Sequence, residues 1–453
     1  MTITLPLAQW LSAQRPDNAP VAWLGDHTWT VGQMRHDVAQ LAGQLLAQPG
    51  ERWALCFEDS YLFIVALLGA LHAGKTPVIP GHSRLSLLEE QRTLFHGVLS
   101  DRTLGWNGPL YVVVSAKRVA REPIALPAVD PASVVEIFTS GSTGTPRRVI
   151  KPIASLDREA ALLAERFGER LAGCRIVASV VPQHLYGLTF RIFLPMALGL
   201  PLHAAMTYYA EQLSALPATH RYGFISSPAF LKRLDHDLTP PPIALIVSAG
   251  GMLPWGDVVQ TQAWANVTPD EIYGSTETGI LAWRYRAEDD TPWLPFAGMR
   301  FVQENDAWRV FSPLIPDPAG LLLDDNLAFE DNGLFRLHGR RGRVVKIEEK
   351  RISLCEVEQR VLALDGIVEA AALPLTRNVR QGIGVLVVVD AATRARMASA
   401  AGRQQELTWR KALIPWLEPV AIPRYWRVIE AIPVNSMNKR VYAQLQEFFH
   451  DPA

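Results

Sequence analysis

Short runs rich in Val, Ile and Ala alternate with stretches of helical periodicity along most of this chain, and no other feature constrains the fold as much. Residues 112–114, 176–181 and 243–247 read as strands, and residues 156–167 as an intervening amphipathic helix. A strand, a crossover helix and a parallel strand form the repeating unit of α/β architecture. At 453 residues the chain exceeds what one hydrophobic core supports, so two to four structural units share its interior. The expectation is a large N-terminal α/β domain with layered sheets over residues 1–339.

Local signals sharpen the first part. Gly25 and Asp26 mark a turn, Thr30 is placed to cap a helix over 31–46, and the apolar run 61–71 is too short to cross a bilayer and reads as a buried helix. The N-terminus lacks the basic start and apolar core of a signal peptide. After Gly339 the character changes: GRRGRVVKI leads into ISLCEVEQRVLAL, a strand over 383–389 and a helix around 407–417. This predicts a small C-terminal α+β domain, residues 340–453, of about 110 residues.

Composition narrows the partners. The 44 basic and 45 acidic residues leave a formal net charge of −1, which gives no global pull toward nucleic acid or an anionic membrane. Cys56, Cys174 and Cys355 are scattered without CxxC spacing, so neither a disulfide framework nor a structural zinc site is expected, and a cytoplasmic location fits. The expected partner is a small molecule.

Two loops carry chemistry. In IFTSGSTGTPRRVIKP (137–152), a strand ends in a loop whose glycines let backbone N–H groups approach an anion, while hydroxyls and Arg147 and Arg148 add donors and charge. The GxxxxGK[ST] order of a P-loop is missing. In EIYGSTETGI (271–280), a second strand leads into Gly and hydroxyls with a carboxylate at Glu277, the pairing expected where phosphates share a magnesium ion. Alone, the first loop also reads as an ordinary polar turn and the second as a helix cap.

Taken in order, TSGSTGTPRR, YGSTETG, GRRGRVVKIEEKRISLCEVE and PVNSMNKRVY resemble the adenylate-forming (AMP-binding) superfamily of acyl-CoA synthetases, peptide-synthetase adenylation domains and luciferases. In kind the chain is similar to small stand-alone acyl and aryl acid ligases of bacterial secondary metabolism. The resemblance implies an ATP-dependent ligase that activates a carboxylic acid as acyl-AMP with release of pyrophosphate. The acyl group then passes to a phosphopantetheine thiol, on coenzyme A or on an acyl carrier protein.

It also implies roles for individual residues. Thr139, Ser140, Gly141, Ser142, Thr143 and Gly144 would form the phosphate loop, followed by Arg147. Tyr273, Gly274 and Ser275 would join Gly250 and Gly251 around the nucleotide, with Thr276 near the α-phosphate and Glu277 holding Mg2+. Asp325, fifteen residues before Arg340, matches the ribose-binding aspartate, with Asp324 adjacent. Arg340 would meet the ribose or phosphate side, and Arg351 would approach from the small domain. Lys439 matches the C-terminal lysine that offsets charge developing during adenylation. ATP and the acid would meet at the domain junction, and the small domain would rotate before thioester formation, when Lys346 faces the site.

Departures from the family pattern are equally readable. Arg147 stands for a customary lysine, Arg148 for a glycine, Gly342 for a hinge aspartate and Asn438 for a glycine. Glu349 replaces a common glycine on the hairpin that approaches the thiol, which favours a carrier-borne arm over free coenzyme A. VPQHLYGLTF (181–190) matches the acyl-pocket segment. His184 sits where many acyl and aryl ligases carry histidine or an aromatic, matching a catalytic position, and Leu185 stands where amino-acid-activating relatives carry an acid. With Tyr186, Phe190, Phe224 and Ala249 this predicts an apolar wall for an aromatic or short-to-medium acyl group. Two rivals remain from the sequence: a non-catalytic acyl- or nucleotide-binding relative, and a phosphotransferase, against which the missing P-loop order speaks.

Overall fold

The computed structural model describes residues 4–81, 83, 85–115, 126–139, 147–340, 344–347, 350–377, 380–398, 402–417, 419–434, 440 and 442–449. The chain divides into two compact units: residues 1–300 with 311–321, and residues 301–310 with 322–453. This division reflects packing density.

In the first unit, residues 175–178, 202–203, 222–226, 243–248 and 270–275 form the parallel interior of a nine-stranded sheet, together with Pro20–Leu24. His27–Thr30, Gly279–Tyr285 and Leu294–Pro295 extend its edges antiparallel. A second sheet of six strands, parallel except for its last hairpin, contains Arg52–Cys56, Thr76–Ile79, Gly97–Ser100 and Leu110–Val112 and ends in Val134–Thr139 paired with Arg147–Pro152. This is the layered α/β architecture that the alternating pattern predicts.

The helices follow their sequence signals. Thr30 caps Val31–Leu46, its side chain accepting from Gln33 N at 3.4 Å. Ser60–His72 is capped by Asp59 and buried at every residue except Leu62, so it lies wholly inside the unit. Ile153–Leu171 buries Ile153, Leu156, Ala160, Leu163, Ala164, Phe167 and Leu171, an i, i+3/i+4 stripe that packs in the main core. At about 1.5–3 kcal/mol for each large apolar side chain removed from water, that stripe anchors the helix. No helix among the described residues is long and apolar enough to cross a membrane.

The second unit is α+β. Asp325–Phe329 pairs antiparallel with Phe335–Arg340, and Val344–Ile347 with Lys350–Ser353. The long hairpin of Ile367–Arg377 and Arg380–Val389 takes Tyr425–Val428 as a parallel third strand. Leu354–Leu362 is capped by Ser353 and covers that sheet through Leu354, Val357 and Val361. The unit has its own apolar cores, one around Trp409 and Trp426 and another around Leu445 and Phe449. The three cysteines are free.

Candidate active site

The first motif sits on a hairpin. Strand Val134–Thr139 runs against Arg147–Pro152 with Thr139 directly opposite Arg147, so the ends of the phosphate-loop segment are held together by ladder pairing. Ser140, Gly141, Ser142, Thr143 and Gly144 lie outside the described residues. Strand alternation then separates the basic residues by face. Arg148 turns to the buried Glu136, at 2.5 Å, which Arg52 also approaches at 2.5 Å. The expectation that Arg148 adds charge to the loop is corrected: its guanidinium neutralises a carboxylate that is 3 % exposed. Arg147 and Lys151 occupy the other face.

The second motif comes to that face. Asp270–Ser275 and Gly279–Tyr285 form an antiparallel pair, with a register shift between Tyr273 and Gly274, and Thr276, Glu277 and Thr278 make the turn. Gly274 is required by contact: a Cβ there would lie 2.2 Å from the Gly279 carbonyl oxygen. Inside the turn, Thr278 Oγ1 accepts from Ser275 N at 3.0 Å and donates to Gly279 O at 2.8 Å, while Thr278 N donates to Ser275 Oγ at 3.2 Å. The Glu277 carboxylate, about a quarter exposed, lies 3.5 Å from Arg147 Nη1. Lys151 Nζ donates to the Glu277 carbonyl at 3.0 Å across 126 residues of sequence.

Lys151 and Glu159 are the residues that the sequence reading did not single out. Both are 2 % exposed. Glu159 Oε1 accepts from Ile280 N at 2.7 Å and Oε2 from Thr189 Oγ1 at 3.3 Å. Burial lowers the Lys151 ammonium pKa, opposed by the Glu159 and Glu277 carboxylates. Burial raises the Glu159 pKa, opposed by Lys151 and its hydrogen bonds. A lysine in a strand followed by a glutamate in the next helix carries no motif, and only the three-dimensional packing brings them under the turn.

The strand that delivers the turn is anchored at its start. Asp270, fully buried, receives Arg170 Nη1 at 2.6 Å and Arg166 Nη2 at 3.2 Å. Glu271 binds Arg284 at 2.9 Å and Arg286 at 2.6 Å, and Arg286 also donates to Leu253 O. That bond ties the hairpin to the loop holding Gly250 and Gly251, both exposed, with Gly250 at φ +88°. Tyr273 packs against Trp293 at 5.9 Å between ring centroids, and Arg284 covers the same indole at 4.4 Å. Gly250, Gly251 and the Tyr273 hairpin are thus linked as one framework.

The acyl-pocket segment is partly redistributed. His184 precedes the short helix Leu185–Gly187, and its ring stands 3.5 Å from where a Cβ on Gly81 would lie, a point also 3.2 Å from the Phe138 carbonyl. His184 is therefore beside the strand that leads to the phosphate loop. Tyr186 donates to Ser226 O at 2.9 Å and Val247 O at 3.0 Å, and it packs on Phe190 at 4.9 Å. Phe224 is a correction: it belongs to a separate core with Phe230 and Ile246, while its neighbour Ile225 belongs to the main core with Phe190 and Ala249. A strand presents successive side chains to opposite faces, and Phe224 has the wrong parity for that wall.

In the second unit, Asp325 is the register partner of Arg340 in its hairpin, so the two residues matched by motif are cross-strand neighbours. Asp325 is partly buried and Asp324 exposed. Arg351 lies on Lys350–Ser353 opposite Lys346; the side chains of Arg340, Arg351 and Lys346 are outside the described set. Glu349, Gly342, Asn438 and Lys439 also lie outside the described residues. Arg440, the residue after Lys439, donates to Ala370 O at 2.7 Å and lies 3.4 Å from Glu358.

No family model matches the chain. It is 30% identical over 307 residues to a 4-coumarate–CoA ligase of Rhodobacter capsulatus, covering 66% of this chain and 73% of that protein. A 4-coumarate–CoA ligase of Halorhodospira halophila is 28% identical over 319 residues with the same coverages. Among solved structures, ATP-bound MatB from Rhodopseudomonas palustris shares the fold with a TM-score of 0.80 at 18% identity, covering 99% of each chain. With Arg147 and Lys151 brought to the Thr276–Glu277 turn and these relatives beside it, the chain belongs to the adenylate-forming (AMP-binding) superfamily.

Proposed function

We propose that this chain is an AMP-forming acid–thiol ligase whose substrate is an aromatic or short-to-medium carboxylic acid. The observation that carries this reading is the meeting of Arg147, Lys151 and Glu277, which joins the end of the phosphate-loop hairpin to the Thr276–Glu277 turn. A basic and hydroxyl-rich segment beside a carboxylate that is about a quarter exposed suits the triphosphate of ATP with its cation.

In the first step the acid's carboxylate oxygen attacks the α-phosphorus, the bond to the bridging oxygen of pyrophosphate breaks, and acyl-AMP forms. Thr139, the 140–144 segment and Arg147 bind phosphate oxygens, Thr276 meets the α-phosphate, and Gly250, Gly251, Tyr273, Gly274 and Ser275 frame the base. Among the described residues no group of three or more His, Cys, Asp or Glu is arranged to hold a metal. Glu277 alone fits a magnesium ion that takes its other ligands from substrate phosphates and water. Bound there, the ion would neutralise phosphate charge. Asp325 and Arg340 serve the ribose, Arg351 a phosphate oxygen, and Lys439 the charge that develops at the α-phosphate.

In the second step a thiolate attacks the acyl carbonyl and AMP departs. Glu349 favours a carrier-protein phosphopantetheine over free coenzyme A as the source of that thiol, because an added carboxylate repels a polyphosphate. A domain boundary at 339/340 with the hinge at Gly342 is proposed for the rotation between the steps, and a cytoplasmic setting suits ATP and a reduced thiol. The buried Leu185, 6 % exposed, leaves no partner for an α-ammonium group, so amino acids are disfavoured.

The test is pyrophosphate release from MgATP with a panel of aromatic and aliphatic acids, trapping acyl-AMP with hydroxylamine. Release with one acid class supports the reading. Nucleotide binding without release across the panel overturns it in favour of a non-catalytic relative.

A further inference from the structure

We infer that Lys151 and Glu159 are a buried positioning pair that holds the Thr276–Glu277 turn at both ends and locks it to the phosphate-loop hairpin. The inference rests on the proposed nucleotide site, and it concerns two residues with no assigned role there.

The geometry is specific to the turn. Lys151 lies four residues beyond Arg147 on the same strand and face, and its Nζ donates to the carbonyl of Glu277 at 3.0 Å. Glu159 lies on the helix that follows directly, and its Oε1 accepts the amide of Ile280 at 2.7 Å. One residue therefore holds the chain just at the carboxylate-bearing position and the other holds it where the return strand begins. Gly279 between them has φ +73°, and a Cβ there would stand 3.1 Å from Glu159 Oε1, so the carboxylate packs directly under the turn. Thr189, in the acyl-pocket segment, donates to Oε2 at 3.3 Å.

Stability alone does not account for the pair. Burying two charges is costly, and well-packed apolar side chains of similar volume often stabilise such a site equally or better. What an apolar pair cannot do is bind the Glu277 carbonyl and the Ile280 amide. Both hydrogen bonds end on backbone of the turn, and Lys151 comes from the strand whose first residue, Arg147, faces the Glu277 carboxylate at 3.5 Å. The pair thus ties the turn to the strand that carries Arg147, so that Thr276 and Glu277 keep their place relative to Arg147.

The test compares wild type with the double variant K151M/E159M. Manganese-bound ATP binding is read by electron paramagnetic resonance, adenosine binding by calorimetry, and folding by the thermal midpoint. The expected result is a midpoint at or above wild type and unchanged adenosine affinity, with manganese-ATP affinity reduced about tenfold, equivalent to about 1.4 kcal/mol. Wild-type affinity for manganese-ATP in a folded double variant overturns the inference. Should that variant not fold, K151M/E159Q keeps an acceptor for Ile280, lets the amide NH2 donate to Thr189 Oγ1 in place of the present bond, and removes the bond to Glu277; a loss of several-fold supports the role and none overturns it. Failure of the wild-type protein to bind manganese-ATP would instead sink the proposed nucleotide site.

Discussion

Single residues in the Tyr273–Ile280 hairpin are constrained by contacts more than by charge. Gly274 faces the Gly279 carbonyl so closely that any Cβ must displace backbone; Gly274→Ala is expected to cost about 2–4 kcal/mol, which urea unfolding would show, together with loss of pyrophosphate release. Glu277 is different, because its carboxylate is partly exposed and lies 3.5 Å from Arg147 Nη1. Glu277→Gln should leave the unfolding midpoint near wild type, lower the adenylation rate by about 10²-fold and raise the magnesium concentration needed for half-maximal rate. An unchanged magnesium titration would remove Glu277 from the metal role. The residues quoted by motif were legible one by one, since Gly, Ser, Thr and Glu announce themselves in a loop. Arg148 was not, because only strand parity reveals that it serves Glu136.

At the scale of elements, the helix Ile153–Leu171 links several parts of the first unit. Its outer face carries Asp157, whose Oδ1 accepts from Leu7 N at 2.9 Å and so holds the segment Leu7–Gln9. Burial pushes the Asp157 pKa up to about 6 from an ordinary 3.8, with the Leu7 hydrogen bond opposing. A folded-state pKa above the unfolded value means that the native state binds the proton more readily. The resulting stability is fully present below about pH 3.8 and is lost as pH rises through about 6. Asp157→Asn keeps an acceptor for Leu7 and removes the titration, so its unfolding midpoint should gain on wild type progressively from pH 4 to pH 7; a parallel pair of pH profiles would refute this. The helices themselves were readable from apolar spacing and caps, as Thr30 and Asp59 illustrate. Strand ends were not: residues 112–114 read as a strand, whereas the ladder spans Leu110–Val112, because pairing partners decide where a strand stops.

For the whole molecule, two units with separate apolar cores predict two transitions in scanning calorimetry, which a single two-state transition would contradict. Lys439→Ala tests the division of labour between the half-reactions: adenylation should fall further than thioester formation from supplied acyl-AMP, and equal losses would sink it. Family and reaction type were legible in the sequence itself, because four motifs stand in the order in which they occur in the adenylate-forming superfamily. The tertiary structure decided which residues share a face. It sent Arg148 and Phe224 away from the expected site, joined Arg147 to Glu277, and buried Lys151 and Glu159 beneath the turn. Alternation along a strand and packing between elements distant in sequence set those neighbours, and neither the pairing register nor the packing partner is written in a local motif.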